Sequence, residues 1–296
     1  MKFSGIGGQA VIEGIMMRNK KQYAIAVRKP DGDIACEVKE AKSITDGHAW
    51  MKVPFIRGAF NFIDSLIIGI GALMFSADFY EDAPEEKSEK AKAAETTITL
   101  VVAIALAVGI FMLLPVLVSN LLHLLTDSTV LIVLFEGIFR LLIFIGYVWA
   151  ISLMKDIKRT YMYHGAEHKC INCIEHELPL TVENVRASSK EHKRCGTSFL
   201  LIVMLISIII FMFIRVDNVW LRLLSRLLLV PVIAGISYEI LQFAGRSNSK
   251  FMNAISRPGM WLQGLTTKEP DDSMIEVAIT AVEAVFDWKK FLEEDK

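Results

Sequence analysis

The charged side chains of this 296-residue chain are gathered in blocks rather than spread along it. Only nine of the 65 fall within residues 98–154 and 198–246, and the rest occupy 1–97, 155–197 and 247–296. A soluble domain puts charge on the outer face of every amphipathic element, so segregation on this scale excludes a single soluble globule; the long apolar blocks exclude disorder. A multispan membrane protein remains. An apolar content of 53% and a mean hydropathy of +0.43 agree with that class. With 32 basic and 33 acidic residues the net charge is −1, so the basic surface that nucleic acid requires is missing and no nucleic-acid partner is expected.

A hydrocarbon core of about 30 Å takes about 20 helical residues. Leu100 to Val118 carries no charge, and Phe199 to Ile214 is uncharged and extends back through Ser198 and Thr197. Val130 to Met154 contains only Glu136 and Arg140, and Leu227 to Gly245 only Glu239. The sequence thus predicts four transmembrane helices, 98–122, 130–154, 198–216 and 226–245, with Pro115 and Pro231 kinking two of them. Glu136 and Arg140 stand four residues apart, the spacing of a helical ion pair, with a functional relay as the competing role.

The first 20 residues are Gly-rich and polar rather than a secretory signal. The 155–197 connection carries eight Lys or Arg, against none in 123–129, which places both termini and the middle loop in the cytoplasm. This orientation puts Arg215, Arg222 and Arg226 outside, their stems snorkelling to the headgroups. The four cysteines then face a reducing compartment, and disulfides are not expected.

The polar blocks carry their own patterns. Tyr23, Ile25 and Val27 alternate, Pro30-Asp31-Gly32 makes a turn, and Ile34, Cys36 and Val38 alternate again, which predicts a β-hairpin. In 60–79 the uncharged run from Ser65 to Ala77 is 13 residues, too short to span, and Phe62, Ile63, Leu66, Ile67, Ile70, Leu73 and Met74 share one helical face. An interfacial or re-entrant helix fits these residues; a soluble buried helix and a fifth span compete with it. Glu81 to Glu95 reads as a charged linker, and Ser273-x-x-Glu276 as a capping box ahead of a stripe of Ile275, Ile279, Val282 and Phe286.

The expected fold is therefore mainly α: a polytopic membrane protein with about four transmembrane helices and a small α+β cytoplasmic part. Its segments are 1–97, with hairpin and interfacial helix; 98–154, helices one and two; 155–197, a His/Cys loop; 198–245, helices three and four; and 246–296, with an amphipathic helix. The lipid bilayer is the partner this composition requires, and a homo-oligomer or a membrane-protein partner is left open.

Chemistry concentrates in Tyr163-His164-Gly165-Ala166-Glu167-His168-Lys169-Cys170. On a helix His164 and His168 are one turn apart, so both imidazoles reach one metal ion with Glu167 beside it, the arrangement of the inverted zinc peptidases. His192 and Cys195 add two further ligand types. Against this stand two other readings. The histidines could be interfacial residues bonded to headgroups or to Glu167. Alternatively, Cys170-x-x-Cys173, eighteen residues and His192-x-x-Cys195 could form a zinc ribbon, a closed structural site.

Gly7-Gly8-Gln9-Ala10-Val11-Ile12-Glu13-Gly14-Ile15-Met16-Met17-Arg18 together with His164-Gly165-Ala166-Glu167-His168-Lys169 resembles the YqhQ-like family. Arg194-Cys195-Gly196-Thr197-Ser198-Phe199, Ala234-Gly235-Ile236-Ser237-Tyr238-Glu239 and Leu265-Thr266-Thr267-Lys268-Glu269-Pro270 fit the same family. The resemblance covers nearly the whole chain and implies a bacterial integral membrane protein, described generically as a predicted metal-dependent enzyme, with no reaction assigned. Its pattern includes His164, Glu167, His168, His192 and Cys195 and omits Cys170 and Cys173; Lys193 stands where the family commonly has proline. Glu13 becomes a candidate through the resemblance alone.

The Gly7-Gly8 segment lacks the Lys-Ser/Thr ending of a phosphate loop and is assigned no nucleotide. Glu239 could supply a carboxylate ligand, with pairing to a loop cation such as Arg246 as the plain alternative. The expected function is a membrane-embedded, metal-dependent enzyme of the hydrolase type in the bacterial cell membrane. Glu167 would be general base, and a divalent metal such as zinc would be held by ligands drawn from His164, His168, His192, Cys195 and Glu239. The alternatives are a non-catalytic scaffold or assembly factor with or without a structural metal, and then a transporter.

Overall fold

A computed structural model describes residues 2–80, 89–214, 216, 218–247 and 249–294. The first 40 residues form a four-stranded antiparallel meander in sequence order: β1 (Gly7–Val11), β2 (Gly14–Asn19), β3 (Gln22–Arg28) and β4 (Ile34–Glu40). The predicted hairpin is β3 with β4, where Ala26 faces Cys36 and Val27 faces Ala35. The glycine-rich segment adds a second hairpin, turning at Ile12 and Glu13, the latter at φ 48°. It lacks the alternation of a half-exposed strand because β2 is covered on both faces: Gly14 to Met17 are all buried.

One face of the sheet, with Ile15, Met17, Ala24 and Ala26, packs on α5 (Lys155–Glu175) and α10 (Asp272–Glu283). The other face, with Val11, Met16, Ile25 and Val27, packs on α1 (Ile56–Ala77) through Ile68 and Ala72. The β-element that could not stand alone is thus sandwiched. The stripe on α10 is plain packing, with Ile275 and Val282 fully buried. Its cap differs from the expected box: Asp271 is the N-cap and accepts from the Met274 N–H, while Glu276 pairs with Arg28. An aspartate one residue before the helix outcompetes the serine inside it for the same orphan donors.

Among the described residues, four helices are long and apolar enough to cross a membrane: α1, the run Ala94–Asn120, α4 (Thr129–Ser152) and α8 (Val219–Arg246). The run Ala94–Asn120 comprises most of α2 (Glu89–Val108), a π-helical turn at Gly109–Leu113 and α3 (Leu114–Asn120). The wide turn lies just ahead of Pro115, where an N–H is missing and the ring crowds the preceding turn. The apolar helix α7 (Gly196–Met212) is shorter, 17 residues. Residues 81–88 of the expected linker lie outside the described residues, and α2 begins at Glu89.

Helix α1 reaches spanning length because Arg57 and Asp64 extend the 13-residue uncharged run backwards, each with a partner: Arg57 bonds Glu239, and Asp64 bonds Ser43 and the Ile44 N–H. Its small and polar face points inward, with Gly58, Asp64, Gly69, Ala72 and Ser76 buried, while Ile63, Leu66, Ile67, Leu73 and Met74 are exposed. An apolar face turned outward is an arrangement for lipid. The second half of α1 nevertheless lies on the sheet, where Ser76 accepts from the Ile12 N–H. The sheet against which that half of α1 packs carries exposed Glu37 and Glu40.

Arg222 and Arg226 do not snorkel outward. Helix α8 starts seven residues before the expected span and carries both inward, where they are buried. Arg226 meets Glu136, Arg140 bonds the same carboxylate at 2.7 Å, and Arg222 reaches Asn120. Arg215 lies outside the described residues. Residues 250–266, for which the sequence predicts no element, form α9 (Lys250–Thr266), which continues through Pro258 and packs on α7 where Gly259 meets Ser198. Two further short α-helices are α6 (Val182–Ala187) and α11 (Trp288–Glu293).

Candidate metal centre

Helix α5 continues through Gly165 because a neighbour needs the space: a Cβ there would overlap the Lys268 carbonyl. The strand-like segment after α9 docks at this point, with the Lys268 N–H bonded to the Tyr161 carbonyl at 2.9 Å. His164 and His168, one turn apart, meet edge to face, with ring centroids 4.4 Å apart and planes at 65°. Cys195 caps the N-terminus of α7, its Sγ accepting from the Thr197 N–H and standing 3.3 Å from His164 Nε2. Ligand atoms of His164, His168 and Cys195 all lie within 4.8 Å of one another.

Second contacts fix the tautomers. His164 Nδ1 is 2.9 Å from the Thr266 carbonyl and His168 Nδ1 is 2.7 Å from the Lys190 carbonyl. A carbonyl only accepts, so each Nδ1 carries a proton, and a ring presents a bare Nε2 whenever it is neutral. The loop supplying the Lys190 carbonyl is itself tied to α5. Lys169 Nζ donates to the carbonyls of Arg186 and Ser188, and Asn172 Nδ2 to those of Ser189 and Glu191.

Electrostatics couple the cluster. Burial opposes charge on His164, but the adjacent Cys195 and then Glu167 pull its pKa up to about 9. Burial likewise opposes ionisation of Cys195, yet His164 and His168 hold it well below the usual thiol range. The two shifts describe one pair sharing a proton, poised toward thiolate and imidazolium. Glu167 is pushed up by burial, partly offset by the two histidines. Its carboxylate accepts from the Gly8 N–H, and its Oε2 is buried with no hydrogen-bond partner among the described residues. Gly8 must be glycine, since a Cβ would lie 3.1 Å from Glu167 Cδ and 2.5 Å from the Met16 carbonyl.

The cluster opens on a cavity of about 460 Å³ between β1, α1, α5 and α8. His192 lines it too, but its ring is engaged: Nε2 is 3.2 Å from Glu175, and Nδ1 faces the Arg194 N–H at 3.4 Å. Gln263 clamps its backbone at both N–H and carbonyl. Glu239 is not brought into the group and binds Arg57 at 2.6 and 2.7 Å, an ion pair with a cation of helix α1 rather than with Arg246 or a loop. Glu13 pairs with Arg159 at 2.5 Å and receives the Tyr163 hydroxyl.

The ribbon's four ligands are not assembled. Cys170 and Cys173 are buried in the core between sheet, α5 and α10, and Cys173 faces the Leu178 and Pro179 carbonyls. Sequence reasoning missed Lys169, Asn172, Glu175 and Gln263. The first three continue from His168 at helical spacing, a polar stripe that a loop reading of 155–197 concealed.

Fold and cluster together define a membrane protein with a buried His/Cys/Glu group under a small β-sheet. The chain belongs to the family described as "Protein of unknown function (DUF1385)", whose model matches residues 53–288. It is similar to the uncharacterized protein YqhQ of Bacillus subtilis (strain 168), 35% identical over 302 residues covering 98% of this chain and 95% of that one. No solved structure matches.

Proposed function

We propose that this protein is a metal-dependent hydrolase embedded in the bacterial cell membrane, with its site facing the cytoplasm. One observation carries the reading. Two imidazoles, each held through Nδ1 by a backbone carbonyl, turn toward Cys195, while Glu167, whose buried Oε2 has no partner among the described residues, lines the same cavity. His164, His168 and Cys195 would hold a divalent ion of the zinc type. Bonds of 2.0–2.3 Å to a tetrahedral ion need ligand atoms about 3.3–3.8 Å apart, a separation His164 and Cys195 already have. Three protein ligands with an open position are the pattern of catalytic rather than structural zinc, and a thiol poised toward thiolate suits the ion.

When bound, the ion supplies Lewis acidity. The chain does the rest. Glu167, raised by burial, accepts a proton at Oε2 from a water in the cavity and returns it to a leaving group. Gly8 holds that carboxylate, the Thr266 and Lys190 carbonyls orient the rings, and the sheet restricts water.

Metal content and complementation test this. Glu167→Gln should retain the ion and the fold and lose biological activity, while His164→Ala and His168→Ala lose the ion. Cys170→Ser should keep it. Full complementation by Glu167→Gln would end the catalytic reading and leave a scaffold. The orientation is tested by labelling single cysteines in intact cells: position 190 should be shielded from impermeant reagents and position 127 accessible.

A further inference from the structure

The cavity continues past the cluster. Gly5, Arg194, Tyr238 and Gln242 border both it and a neighbouring hollow of about 240 Å³, whose other walls are Phe3, Arg57 and Arg246. Three guanidinium groups line this arm and no carboxylate does. Arg57 is held from behind by Glu239 and Arg194 by Glu175, whereas Arg246 is exposed and makes no ion pair among the described residues. Arg194 and Arg246 also sit over the same Phe3 ring, at 4.3 and 5.4 Å from its centroid, so two like charges are gathered on one wall. The Tyr238 hydroxyl accepts from Asn61 at 2.9 Å and Gln242 at 3.3 Å, which leaves its own proton to donate. An arm built almost wholly of donors in a concave, positive site fits an anion.

Two features narrow the anion. Three guanidinium groups and a phenol offer more donors than one carboxylate accepts, and they match the several oxygens of a phosphate. Arg57 opens α1 and Arg246 closes α8, the ends of two apolar helices, and Phe55, Ile56 and Phe243 are exposed beside them. In a bilayer crossed by α8, the end of that helix lies at headgroup depth, where arginines meet lipid phosphate. We propose that this arm is a subsite for the phosphate of a phospholipid headgroup, which positions the substrate beside the His/Cys/Glu cluster. Its role as a substrate subsite rests on the hydrolase reading; the binding itself does not.

The test is calorimetric titration of the full chain in a neutral detergent with dihexanoyl phosphatidylglycerol, inorganic phosphate and acetate. Phosphatidylglycerol should bind, and Arg246→Gln should weaken it about tenfold, or about 1.4 kcal/mol, with Arg246→Glu weakening it further. Arg246 has no ion pair to break among the described residues, so both variants should fold, and thermal unfolding checks this. Phosphatidylglycerol binding more tightly than inorganic phosphate assigns the phosphate to lipid; equal affinities would overturn the lipid source. Affinity unchanged in both variants, acetate binding as tightly as phosphate, or no binding of either phosphate probe would overturn the subsite. Zinc measured on the same samples separates the two proposals. Arg246 variants should keep wild-type zinc, and His164→Ala should lose zinc yet still bind phosphatidylglycerol. Lipid binding in a protein that never takes zinc would sink the metal centre alone.

Discussion

Two groups of buried ionisable side chains in this protein solve the cost of burial in opposite ways. Between the apolar helices, Glu136 is surrounded by Arg140 and Arg226, with Ser119 and Ser207 completing the contacts, so each charge is turned toward another. Under the sheet, His164, His168, Cys195 and Glu167 are held from behind, and their reactive atoms converge on a cavity. Lipid offers an unpaired charge nothing, so the first group turns its charges on one another, although Arg140 Nε is buried without a hydrogen-bond partner among the described residues. The second has backbone carbonyls and a polar loop at hand, which lets it keep unpaired atoms facing inward, as ligand binding requires. A buried polar group therefore indicates function by where its free atoms point.

The largest test of that contrast is removal of Glu136. Glu136→Ala leaves Arg140 and Arg226 facing each other in apolar surroundings and should cost about 3–5 kcal/mol, read as thermal unfolding in detergent. Joint replacement of Glu136, Arg140 and Arg226 by Leu, Met and Met should recover most of it. A loss no greater than that of Glu167→Ala would show that the two groups do not differ as described.

Next comes the polar shell of the second group. The Glu175 carboxyl is 1% exposed, and although burial opposes its charge, His192 and Arg194 hold it down to about 2, against an ordinary 4.5. A carboxylate depressed on folding adds stability that is present above its unfolded pKa and is lost as pH falls toward the folded one. Wild type should therefore lose about 3 kcal/mol relative to Glu175→Gln between about pH 5 and pH 2. A pH-independent difference would mean that the contact with His192 and Arg194 does not form.

The smallest effect concerns glycines. Gly165→Ala drives a methyl into the Lys268 carbonyl and should cost about 1–3 kcal/mol while displacing His164. Gly146→Ala in α4, where a Cβ meets nothing within 4 Å, should be neutral or stabilise by about 0.5–1 kcal/mol. Equal effects would remove the case for close docking at the motif glycine.

Charge segregation alone determined that the chain is a mainly helical membrane protein, because hydrocarbon penalises charge wherever the segment packs. Helical spacing likewise placed His164, Glu167 and His168 on one turn and joined Glu136 to Arg140, since both relations are local. Contacts between distant segments were not legible. Cys195 joins the histidines across 31 residues, Thr266 orients His164 across 102, and Gly8 reaches Glu167 from the first hairpin. The same distance hid the choice between Cys170 with Cys173 and the histidines, as both sit on α5 and only packing decides which side meets the sheet core. It also hid the inward turn of Arg226 and Arg222, which meet a glutamate and an asparagine on other helices. Period and composition report what one segment does with solvent or lipid, while ligand sets and ion pairs form between segments, and tertiary packing alone fixes those meetings.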